Sequence, residues 1–374
     1  MNFGSRRSRH RDSLPDWYPS PVGRRHTAKW VIVCVVAAVV LGWLVFNQFS
    51  GRSFDWRLAA TSFERLDWSW IALSVIPIFG TYYGRALRWK VFLKPQRPRA
   101  SVWKLLSATV IGFTAVTLFG RPGEFVRPYL IARKEQLTVT SQFAAWALER
   151  MFDLLMALLV AAFALTRVQS SGIQVGPTLS WVLTFGGRII GVLGVAVLVI
   201  LLSLRHFAEP VRIRLLRALR RLPERHIGRV ERLINGVFAG VESMRSDAAL
   251  FVVFVYSVAE WVLICACYWC LAKAFTGIVN LSPVDVLILT GFVSFGSVVQ
   301  IPGVGGGTQV VTVLVLTELF GVRLELASAF ALLLWILTFV AIVPVGLLVG
   351  LKEGLDWHSL RHLGDEVPDR EVPQ

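Results

Sequence analysis

Four ionisable side chains fall where water is expected to be scarce: Glu149, Arg150 and Asp153 in the apolar run 142–166, and Glu260 in the run 250–272. Charge at membrane depth is costly, so it persists where it pairs or handles a substrate. Glu149 and Asp153 are four residues apart and share a helical face, and Arg150 reaches Asp153 three residues on. Two readings follow. The group is a self-neutralising ion cluster that fixes helix packing, or it is the wall of a polar cavity. Glu260, beside Trp261, is either a proton-coupling carboxylate or the partner of an arginine on another helix.

A second set of candidates lies where Gly and Pro interrupt apolar sequence. Gly112-Phe113 leads into Gly120-Arg121-Pro122-Gly123-Glu124-Phe125-Val126-Arg127. Arg121, Glu124 and Arg127 recur at offsets of three and six, on one side of a helix. Two guanidiniums so placed can grip a phosphate in bidentate fashion, with Glu124 holding them or receiving a cation. The plain alternative is that the arginines snorkel to headgroups. Gly291-Phe292 leads in the same way into Gln300-Ile301-Pro302-Gly303-Val304-Gly305-Gly306-Gly307-Thr308-Gln309. Gly303, Gly305 and Gly306 are candidates to offer backbone N–H groups to an anion at a helix N-terminus, with Thr308, Gln309 and Gln300 adding side-chain donors. The plain alternative is a tight turn with close helix packing.

These residues need a membrane-spanning frame. The chain has 374 residues, 55% hydrophobic and 17% charged, with mean hydropathy +0.61. That excludes a soluble domain and predicts an all-α polytopic membrane protein. Apolar runs fall at 31–48, 69–87, 101–119, 142–166, 181–204, 250–272, 284–301, 308–321 and 326–350. The formal charge of +15 clusters in the head before residue 30 and at 205–232. Basic clusters that abut apolar spans mark the cytoplasmic face and bind anionic lipid there, and nucleic acid is not expected.

Charge counting then sets the topology. Arg85, Arg88, Lys90, Lys94, Arg97, Arg99 and Lys104 mark one inside segment, and 205–232 marks the next. Three crossings between them violate the rule unless 101–132 is a hairpin that enters and leaves from inside. The same logic makes 284–321 a hairpin from outside. The expected fold is about six full spans plus two re-entrant helical hairpins arranged as an inverted repeat. Gly/Pro-interrupted segments at matching places in two halves point to a transport site. Residues 1–29 read as a disordered cytoplasmic tail, 30–352 as the transmembrane domain, and 353–374 as a cytoplasmic C-terminal tail. No cleavable signal peptide is evident. Within 205–245, two amphipathic helices are expected in the cytoplasmic interface. All six histidines lie outside the apolar runs, and the four cysteines scatter over different helix faces. No metal site, cofactor or histidine-based chemistry is expected.

Four motifs in order resemble one known family. They are Gly84-Arg85-Ala86-Leu87-Arg88-Trp89, Arg121-Pro122-Gly123-Glu124-x-x-Arg127, Glu149-Arg150-x-x-Asp153 and Pro302-Gly303-Val304-Gly305-Gly306. The chain from about 30 to 352 is similar to the flippase-like family, also described as the transmembrane region of lysylphosphatidylglycerol synthases. The resemblance implies an integral membrane protein of the bacterial inner membrane that moves a phospholipid or lipid-linked headgroup, anionic or zwitterionic. Relatives often place an Arg where this chain has Leu334-Trp335-Ile336. About two dozen residues follow the last run, so the family's aminoacyltransferase activity is not carried over and no catalytic residues are assigned. The alternatives are an intramembrane headgroup transferase with Glu149 or Asp153 as base, and a membrane scaffold of an envelope-lipid pathway.

Overall fold

The computed structural model describes residues 54–170, 177–219, 224–275, 279–297, 300–301 and 305–354. The head, the run 31–48, Gly303 and the segment after 354 lie outside them. So do the side chains of Gln300, Arg225 and Arg229.

Asp55 caps a short surface helix, α1 (Trp56–Glu64), by accepting from the N–H groups of Arg57 and Leu58. Asp67 caps α2 (Trp68–Leu93). Next comes a broken pair, α3 (Val102–Phe119) and α4 (Val126–Glu135), joined by Gly120 and a 3-10 turn at Arg121–Phe125. Gly120 takes φ 71°, which glycine adopts without steric cost. A Cβ on Gly123 would overlap the backbone of Ala115, so the turn folds tightly back onto α3. Helix α5 (Val139–Ser170) follows, then α6 (Pro177–Leu219) and α7 (Glu224–Val241).

The second half repeats the order. Helix α8 (Asp247–Ala274) precedes another broken pair, α9 (Pro283–Gly296) and α10 (Gly307–Glu318). Their break holds two antiparallel dipeptides, β1 (Gln300–Ile301) and β2 (Gly305–Gly306). Gly296 and Gly307 lie backbone to backbone, with no room for a Cβ on either. The chain then runs through α11 (Leu324–Trp335), a π-helical turn at Ile336–Val340 and α12 (Ile342–Lys352).

Packing follows an exchange pattern. The long helices α2 and α8 pack on each other, α5 packs on α9 of the opposite hairpin, and α12 packs on α3. Both exchanged contacts are made at a glycine. Gly291 of α9 sits on Ala161, and Gly346 of α12 sits on Thr114 and the carbonyl of Val110. Two units of helix, broken hairpin and helix, each clasping the other's hairpin, explain why the duplicated breaks come together.

Five described helices are long and apolar enough to cross a membrane: Val102–Phe119, Val139–Ser170, Phe185–Ala218, Asp247–Ala274 and Leu324–Lys352. The molecule is an all-α polytopic membrane protein. With 26 residues α2 has the length, about 39 Å at 1.5 Å per residue. Its polar face, which includes buried Thr81 and Arg88, keeps it out of the apolar group. In the second hairpin α9 and α10 have 14 and 12 residues, about 21 and 18 Å, short of a hydrocarbon core about 30 Å thick.

One expectation fails. The segment from 209 does not begin a separate interfacial helix, because α6 continues through Pro210 to Leu219. Proline lacks only one N–H, and this stretch lies at the surface, where water satisfies the freed carbonyl. Only α7 is a separate helix, and one of its faces is protein-bound: Gly240 meets the carbonyl of Ser141, and Arg212 on α6 donates to Asn235 Oδ1 at 3.0 and 3.1 Å.

Candidate headgroup site between the hairpin tips

Seven charged side chains from four elements meet at the centre. Helix α2 places Arg85 and Arg88 one turn apart, and α4 brings Arg127. Helix α5 contributes Glu149, Arg150 and Asp153, and α8 contributes Glu260. Glu149 is fully buried. Its carboxylate accepts from Arg88 Nη2 at 2.8 Å and from Arg127 Nη1 at 3.1 and 2.9 Å, with Arg150 Nη2 at 3.5 Å. Asp153 is 2.8 Å from Arg88 Nη2, 3.2 Å from Arg150 Nη2 and 3.3 Å from Arg85 Nη1. Glu260 pairs closely with Arg85 and lies 3.4 Å from Arg88 Nη1. It is therefore the arginine-paired carboxylate of the two readings.

Further contacts brace the cluster. Arg88, wholly buried, also donates to Ser257 Oγ at 3.0 Å. The Arg127 guanidinium lies 4.3 Å over the Trp89 ring and donates to the Arg85 carbonyl at 3.2 Å. Trp89 in turn donates to Gln142 Oε1 at 3.1 Å. Gly112 makes this possible, since a Cβ there would collide with Cβ of Arg127. The matching Gly291 serves a different contact, with α5.

A cavity of about 430 Å³ opens beside the cluster. Arg85, Arg121, Glu124, Arg127, Arg150 and Asp153 line it, with Thr81, Tyr82, Ser294, Ser297, Thr308 and Thr338 supplying hydroxyls. Trp146, Leu154, Trp261 and Ile264 form apolar wall. Arg121 and Arg150 are the open cations, with side chains 47% and 34% exposed. Arg121 pairs with Glu124 at 2.5 Å and donates through Nη2 to the Ser297 carbonyl at 2.9 Å. That bond joins the break of the first hairpin to the C-terminal end of α9 in the second.

The site thus gathers Arg121, Glu124, Arg127, Glu149, Arg150, Asp153, Glu260 and Thr308, with corrections. Arg127 is 4% exposed and committed to Glu149 and Trp89, so the more exposed guanidiniums on the cavity wall are those of Arg121 and Arg150. Of the second break's candidate glycines, Gly305 and Gly306 are described. Gly305 and Gly306 are paired in the two-residue ladder, and the Gly306 N–H donates to Gln309 Oε1 at 2.6 Å. Gln309 thus caps α10 and takes one of the donors, the Gly306 N–H, that an anion could have used.

Arg85 and Arg88 belong to the ion cluster, a role that the sequence reading, which used them only as loop charge, did not give them. The signal was their spacing of three, a single face of α2, beside Trp89. Among the described residues no group of His, Cys, Asp and Glu could hold a metal ion.

Fold and site together define an all-α polytopic membrane protein with a charged cavity between two broken helix pairs. The sequence matches the family model described as the lysylphosphatidylglycerol synthase TM region over residues 30–346, and the chain belongs to that family. Membership places it among membrane proteins of lipid metabolism or transport. No curated protein and no solved structure matches the chain.

Proposed function

We propose that this protein is a lipid flippase of the bacterial inner membrane, moving a phospholipid or lipid-linked headgroup between leaflets. The observation that carries the reading is the cavity at the meeting point of the hairpin breaks, with Arg121 and Arg150 open to it and a self-satisfied ion cluster behind. A headgroup entering it exchanges water for fixed guanidiniums and hydroxyls, while acyl chains stay in lipid beside the apolar wall of Trp146 and Leu154. The hairpins are re-entrant from opposite faces in this reading, with both termini cytoplasmic. Rocking of one unit against the other then alternates access. Anionic lipids would be partners of the exposed arginines on α6 at the cytoplasmic face.

The transferase alternative draws less support. Glu149 is enclosed by guanidiniums, and Asp153, although on the cavity wall, lies within 3.3 Å of three of them, which favours a structural role for both over that of a base. The test is leaflet exchange of a fluorescent phospholipid in proteoliposomes. The wild-type protein is expected to accelerate exchange, and Arg150→Ala to lower the rate by about tenfold or more. Equal rates in the two would refute the role given to Arg150. Conversion of the lipid to a new headgroup would favour the transferase.

A further inference from the structure

We propose that the cavity selects a lipid whose headgroup carries one net negative charge, a phosphodiester bearing an uncharged, hydroxyl-rich group. This rests on the transport reading above and narrows its substrate.

The first argument is the charge count. Among the described residues, five guanidiniums belong to the cluster and cavity: Arg85, Arg88, Arg121, Arg127 and Arg150. Four carboxylates face them: Glu124, Glu149, Asp153 and Glu260. Every carboxylate lies within 4.0 Å of a guanidinium. One positive charge is left over. The neighbouring segments outside the described residues, Val298-Val299 and Pro302-Gly303-Val304, contain no ionisable side chain. Uncompensated charge at membrane depth is unfavourable, so the cavity favours a ligand that cancels it. A zwitterion leaves the excess standing, and a phosphomonoester overshoots it.

The second argument is where the excess can act. Glu149 is held at the shortest distances by Arg88 and Arg127, Asp153 by Arg88 and Glu260 by Arg85, with Arg150 at the edge of the cluster, 3.2 Å from Asp153 and 3.5 Å from Glu149. Arg150 lines the cavity with a third of its side chain exposed. Arg121 faces the same space from the first hairpin.

The third argument concerns the rest of the headgroup. Both carboxylates on the cavity wall, Glu124 and Asp153, are already paired, so an ammonium would find no free counter-ion. Five of the six hydroxyls named above donate their protons to backbone carbonyls. Thr81 donates to Ile78, Tyr82 to Thr338, Ser294 to Thr290, Ser297 to Ser294 and Thr338 to Leu334. Their oxygens can still accept, which suits a ligand that brings O–H donors. A volume of about 430 Å³ equals roughly fourteen water volumes at ~30 Å³ each, room for a phosphate and a small polyol or single sugar.

The test is isothermal titration of the purified protein with short-chain lipids of one acyl composition. The headgroups are phosphoglycerol (one negative charge), phosphocholine (zwitterionic), phosphomonoester (two negative) and aminoacylated phosphoglycerol (net positive). Phosphoglycerol is expected to bind at least tenfold tighter than the others. Arg150→Gln, which equalises the count, should abolish that preference, while Arg150→Lys should keep it. Glu124→Gln, which doubles the excess, should shift preference to the phosphomonoester. Phosphocholine binding within twofold of phosphoglycerol would overturn the proposal, as would variants that weaken all four lipids alike. Deacylated glycerophosphoglycerol and inorganic phosphate are the soluble arms, and competition by either at lipid concentrations would assign the site to a water-soluble anion and overturn the lipid class. Selective binding without leaflet exchange in proteoliposomes would refute transport and leave the charge preference standing. Exchange without headgroup preference would do the reverse.

Discussion

Substituting Glu149→Gln isolates the support of the site from the site itself. Glu149 is buried and is the shared acceptor of Arg88 and Arg127 at 2.8 to 3.1 Å, with Arg150 at 3.5 Å. Glutamine keeps the shape and removes the charge, so two buried guanidiniums lose their common counter-ion. Breaking a buried ion pair from one side costs about 3–5 kcal/mol. The expected readout is a fall in thermal midpoint on the order of 10 °C in detergent, followed by tryptophan fluorescence. Arg150→Gln is the contrast. Its side chain is one-third exposed and its partners keep other cations, so the stability loss should be no more than about 1 kcal/mol. Transport should nevertheless fall about tenfold. The double variant Arg127→Met with Glu149→Gln should be less destabilised than the two single losses summed, because each change removes the orphan left by the other. A Glu149→Gln midpoint within 1 °C of wild type would refute the reasoning, and so would a larger loss in Arg150→Gln.

Gly346→Val should cost more than about 2 kcal/mol, because a Cβ there collides with Thr114, and Gly291→Val should cost less, because a Cβ there is only tight against α5. Size-exclusion profiles that remain monodisperse with unchanged midpoints would contradict the exchanged packing. Trp89→Leu should lower stability by about 2 kcal/mol or more, since the Arg127 guanidinium loses its ring and Gln142 loses a donor. Cysteines placed at Arg121 and Gly305 should label from opposite sides of the membrane with an impermeant maleimide. Labelling of both from one side would sink the inverted arrangement.

The hairpins were legible because glycine and proline leave a mark that survives in sequence. Gly120 needs its positive φ, and Gly296 and Gly307 must be small where two backbones touch. The ion triplet of α5 was legible because charge is conspicuous in an apolar run. Arg85 and Arg88 were not, because positive charge near the end of an apolar run reads equally as a cytoplasmic boundary and as a buried partner. Only the fold, which lays α2 against α5 and α8, distinguishes the two. Arg127 shows a related limit: spacing put it beside Arg121, but the 3-10 turn redirects it to Glu149 and Trp89. The π-helical turn at Ile336–Val340 had no sequence signature. It frees carbonyls that Tyr82 and Thr117 reach at 3.1 and 2.9 Å, which seats the last span against the first hairpin.

The account stands on the headgroup passing through this one cavity. The most direct measurement is leaflet exchange by a variant with its four native cysteines replaced and a single cysteine at Ser294, a cavity-lining position outside the charged cluster. A charged methanethiosulfonate reagent attached there should lower exchange at least tenfold, and reduction should restore it. The same reagent at Val192, on the lipid-facing side of α6, should change nothing. Exchange that continues unchanged with Ser294→Cys fully modified would contradict the account.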